Sequence, residues 1–278
     1  MAAPILVTGG TGTLGRQVVP RLREAGREVR VLSRAGRGDG GHGIELVTGD
    51  LATGEGVEAA VAGAEIILHL AGTQKGDELK AATLVRAARG AGARHLVYVS
   101  VVGADRIPVT SAVDRAMFGY FAAKRAAEQV IADSGVGWTT LRATQFQESL
   151  VLVVRQLARL PVVPVPAGWR FQPVAAGEVA ERLVELALGA PSGLVPALGG
   201  PEVYGLAELV GGWLGVRGRH RPVVSVWLPG RAARAFRAGA NLAPDRAVGH
   251  RTWEQFLATQ ERAPSPSGPG PGRAAAGR

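Results

Sequence analysis

A glycine-rich stretch near the N-terminus is the first part of the chain whose residue types and spacing indicate chemistry. Apolar residues from Ile5 to Val7 precede it, and helical spacing resumes from Gln17 to Ala25. The stretch consists of Gly9, Gly10, Thr11, Gly12, Thr13, Leu14 and Gly15. In a strand–loop–helix unit of this kind, backbone N–H groups and the positive end of the helix dipole bind phosphate. The sequence therefore predicts a site for the pyrophosphate of a dinucleotide.

A second chemical signal is the pair Tyr120 and Lys124 in a segment with helical spacing. Residues four apart on a helix lie on one face, so the phenol and the ammonium are neighbours. A phenol with a pKa near ~10 is a poor acid–base group at neutral pH, but a neighbouring cation favours its ionised form. We therefore expect Lys124 to lower the pKa of Tyr120, which is the candidate catalytic acid or base.

The end of the second predicted strand indicates the choice of cofactor. Dinucleotide folds that bind NAD(H) place an acid there to bind the ribose 2′-hydroxyl, whereas an arginine pairs with the 2′-phosphate of NADP(H). This chain has Ser33, Arg34 and Arg37, with no acid before Asp39. The sequence predicts a preference for NADP(H), with NAD(H) possible. The alternative, that the arginines only solvate a glycine-rich loop, stays open.

Strands and helices alternate along the first half of the chain. Apolar strand patterns at 27–34, 43–51, 65–72 and 94–100 are separated by helical patterns at 54–62 and 77–90. This alternation predicts an α/β fold with a Rossmann-type, doubly wound parallel sheet. Ligands bind beyond the carboxyl ends of such strands, which places Ala71, Gly72 and Ser100 beside the cofactor. We expect His69 to be a packed strand residue and not a catalytic one.

The pattern predicts three regions. Residues 1–144 form an NAD(P)-binding Rossmann core, and residues 145–262 form a small C-terminal substrate lobe interleaved with it. Residues 263–278 contain only Pro, Gly, Ser, Ala and Arg and are predicted to be a disordered tail. Within the lobe we expect an edge strand with prolines at 161–166, a strand at 222–228 and a basic helix at 230–240.

The composition of the chain excludes several classes of site. The chain has 278 residues and no cysteine, which removes thiol nucleophiles, thiolate metal sites and disulfides. Its five histidines show no ligand spacing, so no metal site is expected. No apolar run approaches the ~20 residues of a membrane span. With the first strand so close to Met1, we expect no signal peptide and a cytoplasmic protein.

The net charge of +9 is concentrated late in the chain. Residues 1–214 hold 21 basic and 20 acidic side chains, and residues 215–278 hold 11 and 3. Such an excess attracts anionic substrates, membrane surfaces or nucleic acids. A solvated basic face is the favoured explanation. The absence of an aromatic–basic recognition motif argues against nucleic acid.

Taken together, the motifs resemble the short-chain dehydrogenase/reductase superfamily, and most closely its atypical, NmrA-like and NAD(P)H-binding branch. The similarity runs from about residue 4 to about residue 258. Its motifs are Gly9 to Gly15, Gly49-Asp50-Leu51, Tyr98 to Gly103, Tyr120 to Lys124, and Trp138 to Phe146.

The resemblance implies roles for individual residues. Gly9, Gly12 and Gly15 would contact the pyrophosphate, Arg34 the 2′-phosphate, and Asp50 with Leu51 the adenine. Tyr120 would exchange a proton with the substrate carbonyl, and Lys124 would bind the nicotinamide ribose and lower the phenol pKa.

The serine of the motif departs from the family pattern. Members that reduce carbonyls often carry two adjacent serines after the fifth strand, and this chain has Ser100 followed by Val101. Ser100 is the candidate for orienting the substrate oxygen, with Thr110 or Ser111 as alternatives. An incomplete catalytic set is the remaining interpretation.

Three functional hypotheses follow from these residues. The first is an NADP(H)-dependent oxidoreductase that transfers hydride to or from a small carbonyl or quinone-like substrate. The second is a non-catalytic NAD(P)-binding redox sensor or scaffold of the NmrA-like type. The third, ranked lower because the lobe is small, is a nucleotide-sugar epimerase or dehydratase. In each case the partner is a small molecule, and the protein is expected to be a monomer or homodimer.

Overall fold

A computed structural model describes residues 3–34, 43–72 and 76–262, without the side chains of residues 261 and 262. Its centre is a sheet of seven parallel strands. The first six are β1 (Ile5–Thr8), β2 (Val29–Ser33), β3 (Ile44–Thr48), β4 (Ile66–His69), β5 (His95–Val101) and β6 (Trp138–Ala143). Two later strands, β7 (Val163–Pro166) and β8 (Arg170–Phe171), lie outside this sheet, and β9 (Gly193–Leu194) completes it in the order β3-β2-β1-β4-β5-β6-β9. The predicted Rossmann-type parallel sheet is confirmed.

Helices cover both faces of the sheet. The bounds in chain order are α1 Gly15–Glu24, α2 Val57–Val61, α3 Asp77–Gly90, α4 Ala112–Ala132, α5 Gln147–Leu157, α6 Ala176–Leu188, α7 Leu206–Gly215, α8 Arg231–Arg237 and α9 Trp253–Arg262, with a 3-10 turn at Pro244–Arg246. Helices α1 and α6 pack on one face, and α2, α3 and α4 pack on the other. Strands buried on both faces explain why β4 and β5 are almost continuously apolar in sequence.

The order of the strands reverses between β1 and β4. From β1 the chain continues outward to β2 and β3, whereas β4, β5 and β6 extend in the opposite direction. The loops that follow β1 and β4 therefore diverge and leave a crevice at their carboxyl ends, where this fold binds ligands. Thr8 and His69 are register partners at that end of the two strands, so Gly9 and Ala71 come together there.

Helix α4 begins well before the Tyr120–Lys124 motif, because Ser111 and Asp114 form a capping box. The Ser111 hydroxyl accepts a hydrogen bond from the Asp114 backbone N–H at 3.0 Å, and Thr110 Oγ1 donates to Asp114 Oδ2 at 3.3 Å. Both hydroxyls thus take part in capping the N-terminus of α4. Neither Thr110 nor Ser111 lines the large cavities described below, in contrast to Ser100.

A smaller layer packs beyond the carboxyl end of the sheet. Strand β10 (Tyr204–Gly205) pairs antiparallel with β8, and β11 (Val223–Val226) pairs parallel with β7. The core beneath them joins α5, α7 and α9. Strand β9 and helix α6 belong to the main sheet although they lie within residues 145–262.

The division at residue 144 remains a prediction, and the proposed tail, 263–278, lies outside the described residues. Of the helices in the described ranges, none combines the length and apolar composition needed to cross a bilayer.

Candidate functional site

Two adjoining cavities lie at the carboxyl ends of the central strands. The first, the adenosine-side cavity, has a volume of about 550 Å³. It is lined by ten residues of interest: Gly9, Thr11, Gly12, Ser33, Arg34, Asp50, Leu51, Ala71, Gly72 and Lys80. The second, the tyrosine-side cavity, has a volume of about 620 Å³. Nine predicted residues line it: Gly9, Gly12, Thr13, Leu14, Gly15, Gly72, Ser100, Tyr120 and Lys124. Because Gly9, Gly12 and Gly72 line both, the cavities meet across the glycine-rich loop.

The glycine-rich loop turns tightly between β1 and α1. Gly9 has a φ of +73°, a conformation that favours glycine, and a side chain there would approach the Ala71 nitrogen to 2.7 Å. The Gly12 N–H donates to the Gly9 carbonyl at 3.0 Å, which closes the turn. Gly10 is the exception among the predicted loop residues, because it lines neither cavity. It packs against Val31 instead, where a Cβ would lie 2.7 Å from Cγ1.

At the adenosine side, Ser33 and Arg34 stand where β2 ends. Asp50 Oδ1 accepts a hydrogen bond from the Ala52 N–H at 2.8 Å, which orders the turn that carries Leu51. Arg37 and Asp39 lie outside the described residues. Lys80 of α3 also lines this cavity, and the sequence analysis did not identify it. The one feature of the sequence that sets Lys80 apart is the rarity of lysine, since only three of the 32 basic residues are lysines.

Lys124 is the most constrained polar side chain of the tyrosine-side cavity. The residue is 3% exposed, and its Nζ lies 3.3 Å from Asp77 Oδ2 and donates to the Val99 carbonyl at 3.2 Å. Nζ also lies 4.8 Å from the ring centroid of Tyr98. A Cβ on Gly72 would come within 2.9 Å of Nζ, so any larger residue here would displace the ammonium from its present position.

The ionisation of Lys124 depends on its neighbours. Burial lowers the pKa of Lys124, and the carboxylates of Asp77 and Glu128 oppose that shift. Asp77 is fully buried at the start of α3, and its Oδ1 also lies 3.9 Å from Lys80 Nζ. One carboxylate thus contacts a lysine of each cavity. The sequence analysis did not identify Asp77 either, because helix starts are commonly acidic and its partner is remote in the chain.

Tyr120 lies at the rim of the tyrosine-side cavity, with 37% of its surface exposed. The Lys124 Nζ is 5.7 Å from its ring centroid. Burial of the phenol and the charge of Asp77 raise the pKa of Tyr120. The expected lowering of this pKa is therefore wrong for this structure, because burial disfavours the phenolate and the negative charge of Asp77 adds to that effect. The phenol keeps its proton at neutral pH.

Three residues of the same cavity carry buried polar atoms without hydrogen-bond partners among the described residues. Ser100 is 4% exposed and its Oγ has no partner. Both amide atoms of Gln145 and the Nε1 of Trp169 also have none. Buried polar groups are rarely left unpaired. All three side chains are therefore free to bind a polar atom placed in the cavity. Gln145 was quoted in the sequence analysis only as part of a longer motif.

An aromatic cluster forms part of the wall of the tyrosine-side cavity. Trp169 and Phe236 have ring centroids 4.6 Å apart, and Phe118 lies 5.4 Å from Trp169. Phe121 and Phe171 complete the wall. These rings come from α4, α8 and the β7–β8 region, so no local sequence pattern indicated that they would meet.

His69 is a packed strand residue, as expected. It is fully buried, its Nδ1 shares a 2.7 Å hydrogen bond with Thr8 Oγ1, and its ring stacks on Tyr98 at 5.3 Å. Burial and the charges of Lys124 and Lys80 lower the pKa of His69 to about 3. Among the described residues, no three His, Asp or Glu side chains converge as metal ligands.

Comparison with known proteins identifies the family. A family described as NAD(P)H-binding matches residues 9–159, which is more than half of the chain. The chain belongs to the NAD(P)H-binding family. The resemblance predicted from the motifs is confirmed, and the match includes the glycine-rich loop, Ser100, Tyr120 and Lys124.

Several relatives of this NAD(P)H-binding chain are reductases. It is 34% identical over 149 residues to the (4-alkanoyl-5-oxo-2,5-dihydrofuran-3-yl)methyl phosphate reductase of Streptomyces griseus, covering 52% of this chain and 49% of the relative. It is 33% identical over 180 residues to the ceramide reductase of Caulobacter vibrioides, covering 58% and 53%. The chain thus spans about half the length of the curated relatives it matches.

A solved structure shares nearly the whole fold. The NADPH complex of an NADPH-dependent quinone oxidoreductase from Escherichia coli superposes with a TM-score of 0.77 over 92% of this chain and 99% of that one. The sequences are 18% identical, so this similarity concerns the fold.

Proposed function

We propose that the protein is an NADP(H)-dependent oxidoreductase that reduces a small carbonyl or quinone-like substrate. The observation that carries this proposal is that Ser100, Tyr120 and Lys124 line one cavity, which joins the glycine-rich loop at Gly9, Gly12 and Gly72. A cofactor that extended through both cavities would have the phenol of Tyr120, the ammonium of Lys124 and the hydroxyl of Ser100 at one end. The reductase relatives support the same reaction class.

The described residues fit NAD(P)H. The backbone of Gly9, Gly12 and Gly15 would bind the pyrophosphate at the start of α1. Arg34 would pair with the 2′-phosphate, and Lys80 adds a second cation to the same cavity. Two cations favour NADP(H) over NAD(H) through charge-assisted hydrogen bonds. The Lys124 ammonium and the unpartnered Ser100 hydroxyl, which line the tyrosine-side cavity, would bind at the nicotinamide end.

The protein groups have distinct roles in the proposed reaction. The cofactor, when bound, supplies the hydride that adds to the substrate carbon, and NADPH becomes NADP⁺. Tyr120 donates its proton to the carbonyl oxygen, for which the neutral phenol is the required form. Lys124 would bind the ribose, and its ammonium, 5.7 Å from the Tyr120 ring centroid, would stabilise the phenolate that remains. Ser100 donates a hydrogen bond that orients the substrate oxygen.

The cavity also favours one class of substrate. Its aromatic wall, formed by Phe118, Trp169 and Phe236, accepts a flat apolar ring. The unpartnered Gln145 amide provides a hydrogen-bond donor and an acceptor in the same cavity. A planar conjugated carbonyl, such as a quinone, uses both surfaces.

The cofactor is tested first, by titrating the protein with NADPH and NADH while following nicotinamide fluorescence. We expect NADPH to bind more tightly than NADH. Arg34→Ala should weaken NADPH binding by roughly tenfold or more, with little effect on NADH, because a charge-assisted phosphate contact is lost. Equal loss for both nucleotides would contradict the role of Arg34, and binding of neither would contradict the site.

A non-catalytic binding protein is the second candidate, favoured by the absence of a hydroxyl at Val101. Turnover of quinone and carbonyl acceptors by wild type and Tyr120→Phe separates the two. Loss of turnover with retained NADPH affinity supports the reductase. NADPH binding with no turnover of any acceptor by the wild type supports the binding protein.

A further inference from the structure

One surface of the smaller layer exposes apolar side chains that the proposed reaction does not use. Val224 and Val226 of β11 are 49% and 41% exposed, and the adjacent Trp227 is 66% exposed. Strand β11 pairs along one edge with β7, and no other described strand pairs with it. Solvent-facing strands normally carry polar side chains. Clustered exposed apolar residues of this kind mark an interaction surface.

The part of the chain that carries this strand is strongly basic in sequence. Between Glu208 and Asp245 the chain contains no acidic residue. The same interval contains six arginines: Arg217, Arg219, Arg221, Arg231, Arg234 and Arg237. All are exposed except Arg237, which is half-buried. This excess of positive charge favours an anionic partner, and repulsion between like charges disfavours a second copy of the chain.

Direct contacts join the strand to the arginines and to the cavity wall. The Arg237 guanidinium stacks on Trp227 at 3.8 Å from the ring centroid, and its Nη1 donates to the Leu228 carbonyl at 2.7 Å. The Ala167 N–H donates to the Val226 carbonyl at 2.9 Å, two residues before Trp169 of the aromatic wall. The next residue after Trp227, Leu228, packs in the same apolar cluster as Trp169 and Phe236 of the cavity wall.

We propose that the face formed by Val224, Val226, Trp227 and the neighbouring arginines binds the surface of an anionic lipid bilayer. Tryptophan and aliphatic side chains partition into the interfacial region, and arginines bind lipid phosphates. Nucleic acid lacks an apolar layer for the valines. Such binding is peripheral and reversible, because it combines limited apolar burial with electrostatic attraction.

Membrane binding gives the cavity a source of substrate. A lipid-soluble acceptor in the bilayer would reach the aromatic wall beside Trp169 without crossing water. This consequence rests on the proposed reductase function, whereas lipid binding itself does not.

The test is cosedimentation of the full chain with sucrose-loaded vesicles, without cofactor. Phosphatidylcholine vesicles that contain phosphatidylglycerol should bind the protein, and pure phosphatidylcholine vesicles should bind it far less. Raising the salt concentration should release it. Trp227→Ser should weaken binding by roughly tenfold. Leu79→Ser is the matched control, since Leu79 is 67% exposed on α3.

A second pair of variants tests the charges. The double variant Arg231→Gln with Arg234→Gln should reduce binding to anionic vesicles, whereas Arg86→Gln with Arg89→Gln on α3 should not. Equal binding to both vesicle types, or unchanged binding by the Trp227 and arginine variants, overturns the proposal. A dimer that Trp227→Ser converts to monomer in sedimentation velocity assigns the face to a second copy. Preferential binding of duplex DNA by the same arginines also overturns it.

NADPH titration of the same variants keeps the two proposals separate. Trp227→Ser should retain wild-type NADPH affinity whether or not it binds vesicles. Loss of vesicle binding therefore reports only on this face, and loss of NADPH binding reports only on the cofactor site.

Discussion

The Asp77 carboxylate lies 3.3 Å from the Lys124 ammonium, and neither side chain is more than 4% exposed. This ion pair connects the start of α3 to the middle of α4 at the edge of the tyrosine-side cavity. Burial alone favours the neutral amine of Lys124, and Asp77 opposes that effect. Asp77 is thus a positioning residue that acts through the lysine.

Replacing Asp77 with asparagine should make the function of Lys124 more sensitive to high pH. Without the carboxylate the pKa of Lys124 falls further, so the ammonium is lost at a lower pH. The high-pH limit of NADPH affinity should therefore move to lower pH. Fluorescence titration across pH measures it, with the exposed Asp133→Asn as the control. An unshifted profile with weaker binding at every pH would indicate a structural role only.

Gly72→Ala should impair the site without unfolding the protein. The added methyl would lie 2.9 Å from Lys124 Nζ and 3.4 Å from Asp77 Oδ2, so the ion pair must move. We expect at least a roughly tenfold loss of turnover, because small displacements of positioned groups reduce rates strongly.

Gly211→Ala serves as the control for Gly72→Ala. A Cβ at this helical position meets no atom within 4 Å, and the change should stabilise the protein by about 0.5–1 kcal/mol. Wild-type turnover by Gly72→Ala would contradict the predicted steric conflict between the added methyl group and Lys124 Nζ.

Arg142→Met should destabilise the fold by about 1.5–3 kcal/mol, because Glu128 loses its bidentate partner and, among the described residues, keeps only Arg125, at 3.2 Å. The Arg142 guanidinium donates to both oxygens of Glu128 at 2.8 and 2.7 Å, and pairs with Asp105 at 2.7 Å. Urea unfolding measures the change. The double variant Arg142→Met with Glu128→Gln should recover part of the lost stability. If the two single changes in unfolding free energy simply add, the coupling between Arg142 and Glu128 is contradicted.

The stability of the protein should fall as the medium becomes acidic. The pKa of His69 is lowered to about 3 in the folded state, whereas an unfolded histidine titrates near ~6.5. The unfolded chain therefore binds the extra proton between these values, and the free energy of unfolding decreases as pH falls through that window. The expected contribution is about 1.4 kcal/mol per pH unit below ~6.5.

Unfolding in urea at about pH 7.5 and about pH 5.5 measures this contribution. His69→Gln should reduce the difference, and the exposed His220→Gln should leave it unchanged. An identical pH dependence in wild type and His69→Gln would show that His69 does not contribute.

Local patterns in the sequence were sufficient for the fold and for most of the residues that line the two cavities. Strand–glycine–helix spacing located the loop at Gly9 to Gly15, and alternating elements predicted the parallel sheet. Ser33, Arg34, Ala71 and Gly72 followed from one rule, that ligands bind at the carboxyl ends of parallel strands. Such residues are recognisable because their function depends on neighbours in the chain.

The exception within the loop shows the limit of that reasoning. Gly10 belongs to the same motif, yet it packs against Val31 of the adjacent strand. A motif indicates which residues permit a turn, whereas the contact with β2 decides which of them face the cavity.

By itself, the sequence determined a Rossmann-type fold, a dinucleotide site and a tyrosine–lysine pair one helical turn apart. Only the tertiary structure decided how that pair is charged, because Asp77 reaches Lys124 from another helix and the buried phenol keeps its proton. It likewise assembled the aromatic wall from distant segments and left Trp227 exposed beside arginines. The physical reason is that backbone preferences act between near neighbours, whereas burial and charge depend on every group that folding brings within a few ångströms.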